Sequence, residues 1–381
     1  MIHDMNKNLR SKILNISDPP ERDIHVDTSF DSFYSENINR DRIIRLLSIS
    51  DPAELSELFA AADMIRQKYV GGEVHLRSLI EISNSCMRMC KYCGLRAANK
   101  SLNRYTMSEK EILETVRFEA ERGRKTVVLQ SGENPVFSAK TVSDIVRKIK
   151  EHADIAVTLS LGEYSKEDFK MMREAGADRY LLRHETIDEK LYSELHPGAS
   201  YENRLKCLEW LSEAGFQVGA GIMVGLPGQT CETIADDILF MKSMKLDMAG
   251  IGPFIPHPQT PLKDIPQGEL TMALKTIALI RIVMPYILLP ATTAIGTIHP
   301  HGREKALLCG ANVIMPNVTP PELRNLYEIY PGHNIFEGSP DESYDYINRM
   351  VASLGRTISK DYGHTYRHRY ELLKTDYFKR N

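Results

Sequence analysis

Three cysteines within eight residues raise the first question of chemistry. Cys86, Cys90 and Cys93 lie in Ser83-Asn84-Ser85-Cys86-Met87-Arg88-Met89-Cys90-Lys91-Tyr92-Cys93-Gly94, a C-x-x-x-C-x-x-C pattern. Three thiolates can each ligate one iron of a four-iron cubane and leave the fourth iron open, whereas four would saturate it and make an electron carrier. An open metal position is what catalysis requires. Structural zinc usually takes four ligands, commonly as paired C-x-x-C units. The sequence offers neither a second pair nor a nearby histidine. Cys207, Cys231 and Cys309 are too widely spaced to suggest a site and read as buried free thiols. Clustered thiols without an export signal point to metal and a reducing compartment, not to a disulfide framework.

The elements that must position such a loop follow from periodicity. Apolar runs at 79–82, 126–130, 155–160, 179–182, 217–224, 248–252, 287–290 and 311–315 are eight strand candidates. Most are followed by charged segments of helical pattern, as at 108–122, 139–152 and 201–214. That alternation predicts an α/β fold, a (β/α)8 TIM-type barrel, with an open doubly wound sheet as the alternative. Cys86, Ser131-Gly132-Glu133, Ser160, Arg183, Glu185, Met223 and Thr292-Thr293 lie at or just past strand ends, which a barrel gathers at one mouth. The expected domains are an N-terminal arm (1–40, partly disordered), a helical lead-in (41–75), the barrel (76–320), and a C-terminal segment that closes it and ends in a tail (321–381).

Composition narrows the partners. A net charge of −3 gives no broad basic field and argues against nucleic acid as an obligatory partner. No segment offers the ~20 apolar residues needed to cross a bilayer, and residues 1–18 lack a signal-peptide pattern, so a cytoplasmic location without membrane contact is expected.

The cysteine segment resembles the radical S-adenosylmethionine (radical SAM) signature, with Tyr92 at its aromatic position. In that superfamily SAM chelates the open iron of a 4Fe–4S cluster and is reductively cleaved to a 5′-deoxyadenosyl radical. Tyr180-Leu181-Leu182-Arg183-His184-Glu185-Thr186 and Gly225-Leu226-Pro227-Gly228-Gln229-Thr230, among other stretches, resemble the HydE family of FeFe-hydrogenase maturases. Biotin synthase and methylornithine synthase are more distant relatives.

The resemblance implies several roles. Ser131, Gly132 and Glu133 would receive the SAM amino group, Glu185 the ribose, and Arg204 the methionyl carboxylate, with Ser160 and Arg183 beside them. Thr158, Arg179, Thr292 and Thr293 would line an anion-binding cavity. Met248 and Tyr330 would serve the reacting centre, flanked by Met315 and Tyr327. The implied substrate is a small anion, a cysteine-bound iron carbonyl cyanide species. Reduced ferredoxin or flavodoxin would donate electrons, and other hydrogenase maturases would be partners. A relative with another substrate, such as an amino-acid mutase, and a non-catalytic iron–sulfur scaffold are the competing readings. No cysteine follows Tyr330, so an auxiliary cluster there is excluded by composition.

Overall fold

The computed structural model describes residues 38–333 and 339–367. The arm expected over 1–40 falls outside the described residues except for 38–40, as do residues 368–381 of the tail. Helix starts are written locally. Asn39 caps α1 (Arg40–Leu47), and Asp51 caps α2 (Pro52–Val70), where Pro52 opens the helix at a position whose N–H would be unpaired anyway. The chain continues through β1 (Glu73–Leu76), β2 (Ser78–Ser83), α3 (Glu109–Glu121), β3 (Thr126–Ser131), α4 (Ala139–His152) and β4 (Ala156–Ser160). Next come α5 (Lys166–Glu174), β5 (Arg179–Leu181), α6 (Glu189–Leu195), α7 (Tyr201–Glu213), β6 (Gln217–Val224), α8 (Cys231–Ser243) and β7 (Met248–Pro253). The rest are α9 (Leu270–Val283), α10 (Thr293–Ile298), α11 (Gly302–Leu308), β8 (Val313–Ile314), α12 (Pro321–Arg324), α13 (Pro340–Ser353) and β9 (Thr357–Ile358). Capping boxes start α3 (Ser108 with Glu111) and α5 (Ser165 with Asp168).

Strands β2 to β7 form one parallel sheet in sequence order. The ring then closes through single bridges: Met248 with Leu288, Pro290 with Val313, and Asn317 with Leu79. The fold is therefore the expected barrel, with two differences. The 287–290 run contributes bridges and no strand, because Pro290 has no N–H for a ladder. A second difference is β1, a strand within the expected helical lead-in, which pairs with β8 and β9.

Alternation along the strands sorts the side chains. Val157, Leu159, Tyr180, Val218, Ala220, Ile222, Ala249 and Ile251 face outward and join the large core shared with the helices. Thr158, Arg179, Gly219, Met248 and Gly250 occupy the alternate, inward positions. The start of the barrel is floored by the segment after β9. Thr126 donates to the Tyr362 carbonyl (2.8 Å), Arg77 to the Gly363 carbonyl (3.1 Å), and the Thr365 N–H to Gln217 (2.8 Å). Gly363 lies so close to His75 that a Cβ would sit 2.9 Å from the ring, at a backbone φ of +58°.

Candidate active site at the barrel mouth

The cysteine loop leaves β2 and is held by backbone contacts and by the side chains of Arg104 and Asn84. The Met87 N–H donates to the Glu133 carbonyl (2.9 Å), Lys91 to Leu195 (2.9 Å) and Gly94 to Ile329 (2.9 Å). Arg104 grips the loop from outside: Nη1 donates to the carbonyls of Asn84 (2.6 Å) and Leu95 (2.7 Å), and Nη2 to those of Arg96 (2.8 Å) and Asn99 (3.1 Å). Asn84, fully buried, donates to the carbonyls of Asn103 and Leu326.

The donor set fits an iron–sulfur cluster. Burial pushes the Cys86 thiol up, the Cys90 thiol up to about 12, and the Cys93 thiol higher still. A bound cationic cluster would supply the positive charge that favours three thiolates at such a buried site. Among the described residues no three His, Cys, Asp or Glu side chains gather as ligands of one ion. Thiolates that each take a different iron have no need to do so.

Around the cluster loop stands a network of two guanidiniums and two carboxylates. Arg88 donates from Nε to Glu133 (2.6 Å) and from Nη2 to Glu163 (2.8 Å). Arg204, from α7, donates to Glu163 (2.7 Å) and to the Arg183 carbonyl (2.6 Å), with Glu133 3.8 Å away. Burial would raise the Glu163 pKa, but Arg204 and Arg88 outweigh it and hold the group low. For Glu133 burial wins, and its pKa is raised despite the same two arginines. The sequence reading found Glu133 and Arg204 but missed Arg88, Glu163 and Arg104. Only Arg88 carried a signal, a cation between cluster cysteines.

Glu185 sits past β5 with a left-handed backbone, φ +64°. It is 6% exposed, and its Oε2 is buried without a hydrogen-bond partner, 3.6 Å from Arg183. A buried carboxylate oxygen left in this state calls for a donor from a ligand. Tyr92 donates or accepts with His196 Nε2 at 2.9 Å, and His196 stacks on Tyr192 at 4.2 Å. Ser131 Oγ turns to the Gly132 carbonyl, and Ser160 is half-buried at the end of β4. Gly132 passes so near the cluster loop that a Cβ would meet the Ser85 carbonyl at 2.5 Å.

Deeper in the barrel the sequence-predicted residues fall into separate groups. Arg179, 0% exposed, meets Thr158 Oγ1 at 3.4 Å, the Tyr362 carbonyl, and His364 Nδ1 at 3.1 Å. Expected to line an anion-binding cavity, Arg179 also receives acceptors from the C-terminal segment. Among the described residues no carboxylate forms an ion pair with it. Met248 and Met315 share a small cluster with Leu288 and Val313, and Met248 Sδ accepts from Arg77 at 2.8 Å. Tyr327 and Tyr330 instead flank His333, at 5.9 and 5.1 Å between ring centres. Tyr327 accepts from Gln130 at 3.2 Å, and His333 reaches the buried Glu81 at 2.7 Å. Thr292 donates to the Ile251 carbonyl (3.0 Å), and Thr293 is half-buried at the head of α10. No helix among the described residues is long and apolar enough to cross a membrane.

Comparison with known proteins defines the class. Residues 80–241 match the Radical SAM superfamily, and 251–357 match the Biotin and Thiamin Synthesis associated domain. The protein is a radical SAM enzyme that uses a 4Fe–4S cluster and SAM. It is 51% identical over 324 residues to the [FeFe] hydrogenase maturase subunit HydE of Thermotoga maritima, covering 85% of this chain and 93% of that one. The chain belongs to the HydE family. A 3-methylornithine synthase of Methanosarcina acetivorans is 29% identical over 73% of this chain and 79% of its own. The crystal structure of methylornithine synthase superposes with a TM-score of 0.76 at 25% identity, over 87% of this chain and 96% of that one. A crystal structure of the maturase HydG, at 0.74 and 21%, covers 94% of this chain and 78% of that one and shares the fold.

Proposed function

We propose that this enzyme performs a radical step in the assembly of the FeFe-hydrogenase cofactor, acting on a cysteine-bound iron carbonyl cyanide species held inside the barrel. Membership of the HydE family supports the process. One observation carries the anionic substrate class: Arg179 is wholly buried and its hydrogen bonds go to neutral acceptors, while Asp178, Asp361 and Asp247 act on its charge without forming an ion pair. Burial lowers its pKa to about 10 against the opposing effect of Asp178, Asp361 and Asp247, so it stays cationic at neutral pH. Arg77, also buried, offers its charge to a methionine sulfur and a carbonyl. Buried cations without a directly paired carboxylate favour an incoming anion.

Cys86, Cys90 and Cys93 would hold the cluster, which with SAM supplies one-electron reductive cleavage and a radical. This chain's own groups bind and orient. The Glu185 oxygen left without a hydrogen-bond donor accepts from the ribose hydroxyls, and Glu133 with the Ser131-Gly132 turn receives the amino group. Arg204 and Arg183 offset carboxylate charge, while Tyr92 and Ser160 complete the wall. Thr158, Arg179, Thr292 and Thr293 anchor the anion; Met248, Met315, Tyr327 and Tyr330 surround the reacting atoms. Met87 and Met89, 55% and 38% exposed on the cluster loop, offer an apolar contact for a reduced ferredoxin or flavodoxin. The other maturases would consume the product.

The test is anaerobic turnover of a synthetic cysteine-bound iron carbonyl cyanide complex with SAM and dithionite. Wild type should consume the complex. Arg179→Met should keep substrate-free SAM cleavage and lose consumption. Equal consumption by both proteins would remove the anion anchor.

A further inference from the structure

Of the inward positions on β6 and β7, four are glycine: Gly219, Gly221, Gly250 and Gly252. Their outward neighbours Val218, Ala220, Ile222, Ala249 and Ile251 all pack into the helix-facing core. A (β/α)8 barrel ordinarily fills its interior with bulky branched side chains, so this wall is unusual. The four glycines do not have the same cause. At Gly219 a Cβ would meet Met248 Cε at 2.8 Å and Leu181 at 2.9 Å. At Gly221, with φ +155°, a Cβ would strike the Gly250 carbonyl at 2.0 Å, so the backbone alone demands glycine. Gly252 faces Thr292 and Ala294, each at 3.2 Å.

Gly250 is different. Its φ lies outside the left-handed range, and a Cβ there would meet only the Ala220 carbonyl, at 3.8 Å. The residue is nevertheless buried. A buried position where an added Cβ would meet a single atom, at ordinary contact distance, has open space on its inward side. Mid-strand glycine weakens a strand, and nothing in the surrounding protein requires one here. The reason for glycine must then lie in what fills the space.

We infer that Gly250 keeps open the volume in which the substrate's reacting moiety sits, and so sets the size of molecule the enzyme accepts. This rests on the function proposed above and sharpens its substrate class. Backbone N–H and C=O groups of β6 and β7 are engaged with each other and with their flanking neighbours, β5 and the 287–290 segment, so the wall presents no charge and little directed hydrogen bonding. It suits a compact, rounded group such as a metal centre with small neutral ligands, while the charged end of the same molecule is held elsewhere in the barrel.

Gly250→Ala and Gly250→Val test this in the reconstituted holoenzyme. Alanine adds one methyl to open space, so the melting temperature should stay level or rise. SAM affinity and substrate-free SAM cleavage should match wild type within about twofold. Consumption of the iron complex should fall about tenfold or more with alanine and further with valine, from overpacking against the bound substrate. Unchanged consumption by the valine variant overturns the inference. Weakened SAM binding in both variants also overturns it, because the space would then belong to SAM. Crystals pressurised with xenon read the hollow without any substrate: an atom should bind beside Gly250 in wild type and be excluded by valine. If wild type fails to consume the iron complex, the proposed function fails, and xenon alone decides whether Gly250 keeps a hollow open. No xenon at that place refutes it.

Discussion

The grip of Arg104 on the cluster loop invites a quantitative test. Its guanidinium donates to four carbonyls, those of Asn84, Leu95, Arg96 and Asn99, which together span the loop carrying Cys86, Cys90 and Cys93. Arg104 is exposed, so each bond is placed at the weak end of the usual net range, about 0.5 kcal/mol. Four such bonds sum to about 2 kcal/mol. Lysine carries one compact ammonium without the planar fork and could keep one or two of them. Arg104→Lys should therefore cost about 1–1.5 kcal/mol, roughly tenfold in the equilibrium for loop opening, and Arg104→Ala about 2 kcal/mol, roughly thirtyfold. The assay is anaerobic release of iron to a chelator, followed alongside amide hydrogen exchange over residues 86–99. Both rates should rise in the order wild type, lysine, alanine, while exchange in β4 to β7 stays unchanged. Alanine and wild type indistinguishable within twofold would show that the cluster itself holds the loop and that the grip is incidental.

Three further outcomes follow from the site. Alanine at Cys86, Cys90 or Cys93 should abolish the cubane and SAM cleavage, whereas Cys207→Ala, Cys231→Ala and Cys309→Ala should retain about four irons per chain by iron assay. Glu185→Ala should weaken SAM binding by roughly ten- to a hundredfold in calorimetry, the loss of one charge-assisted contact of about 1.5–3 kcal/mol, with the cluster spectrum intact. Glu163→Gln should cost about 2 kcal/mol near neutrality, since Arg88 and Arg204 lose their shared carboxylate. The folded-state pKa of Glu163 is lowered from 4.5, so its contribution is complete above that value and fades as pH falls through the lower folded value. Chemical denaturation should show the mutant and wild-type stabilities converging in acid; a gap that persists at low pH would refute the charge pairing.

Much of this enzyme was legible in the sequence because its signals are local. The cysteine spacing, the aromatic at Tyr92 and the strand-to-helix alternation are set within a few residues of one another, so they specify the cluster and the barrel without knowledge of any distant contact. Capping pairs such as Ser108 with Glu111 mark helix starts for the same reason. Tertiary structure decided what depends on distant partners. β1 is only four residues long and exists as a strand because β8 and β9 arrive beside it. Glu163 gains its role from Arg88 and Arg204, 75 and 41 residues away, and Arg179 gains acceptors from a segment more than 180 residues later. A charged residue in a sequence is by default solvated; only the folded chain shows which ones are buried and what they meet. Gly250 is the extreme case, since the sequence records only a glycine, and only the folded chain shows that a Cβ there would meet nothing nearer than the Ala220 carbonyl at 3.8 Å.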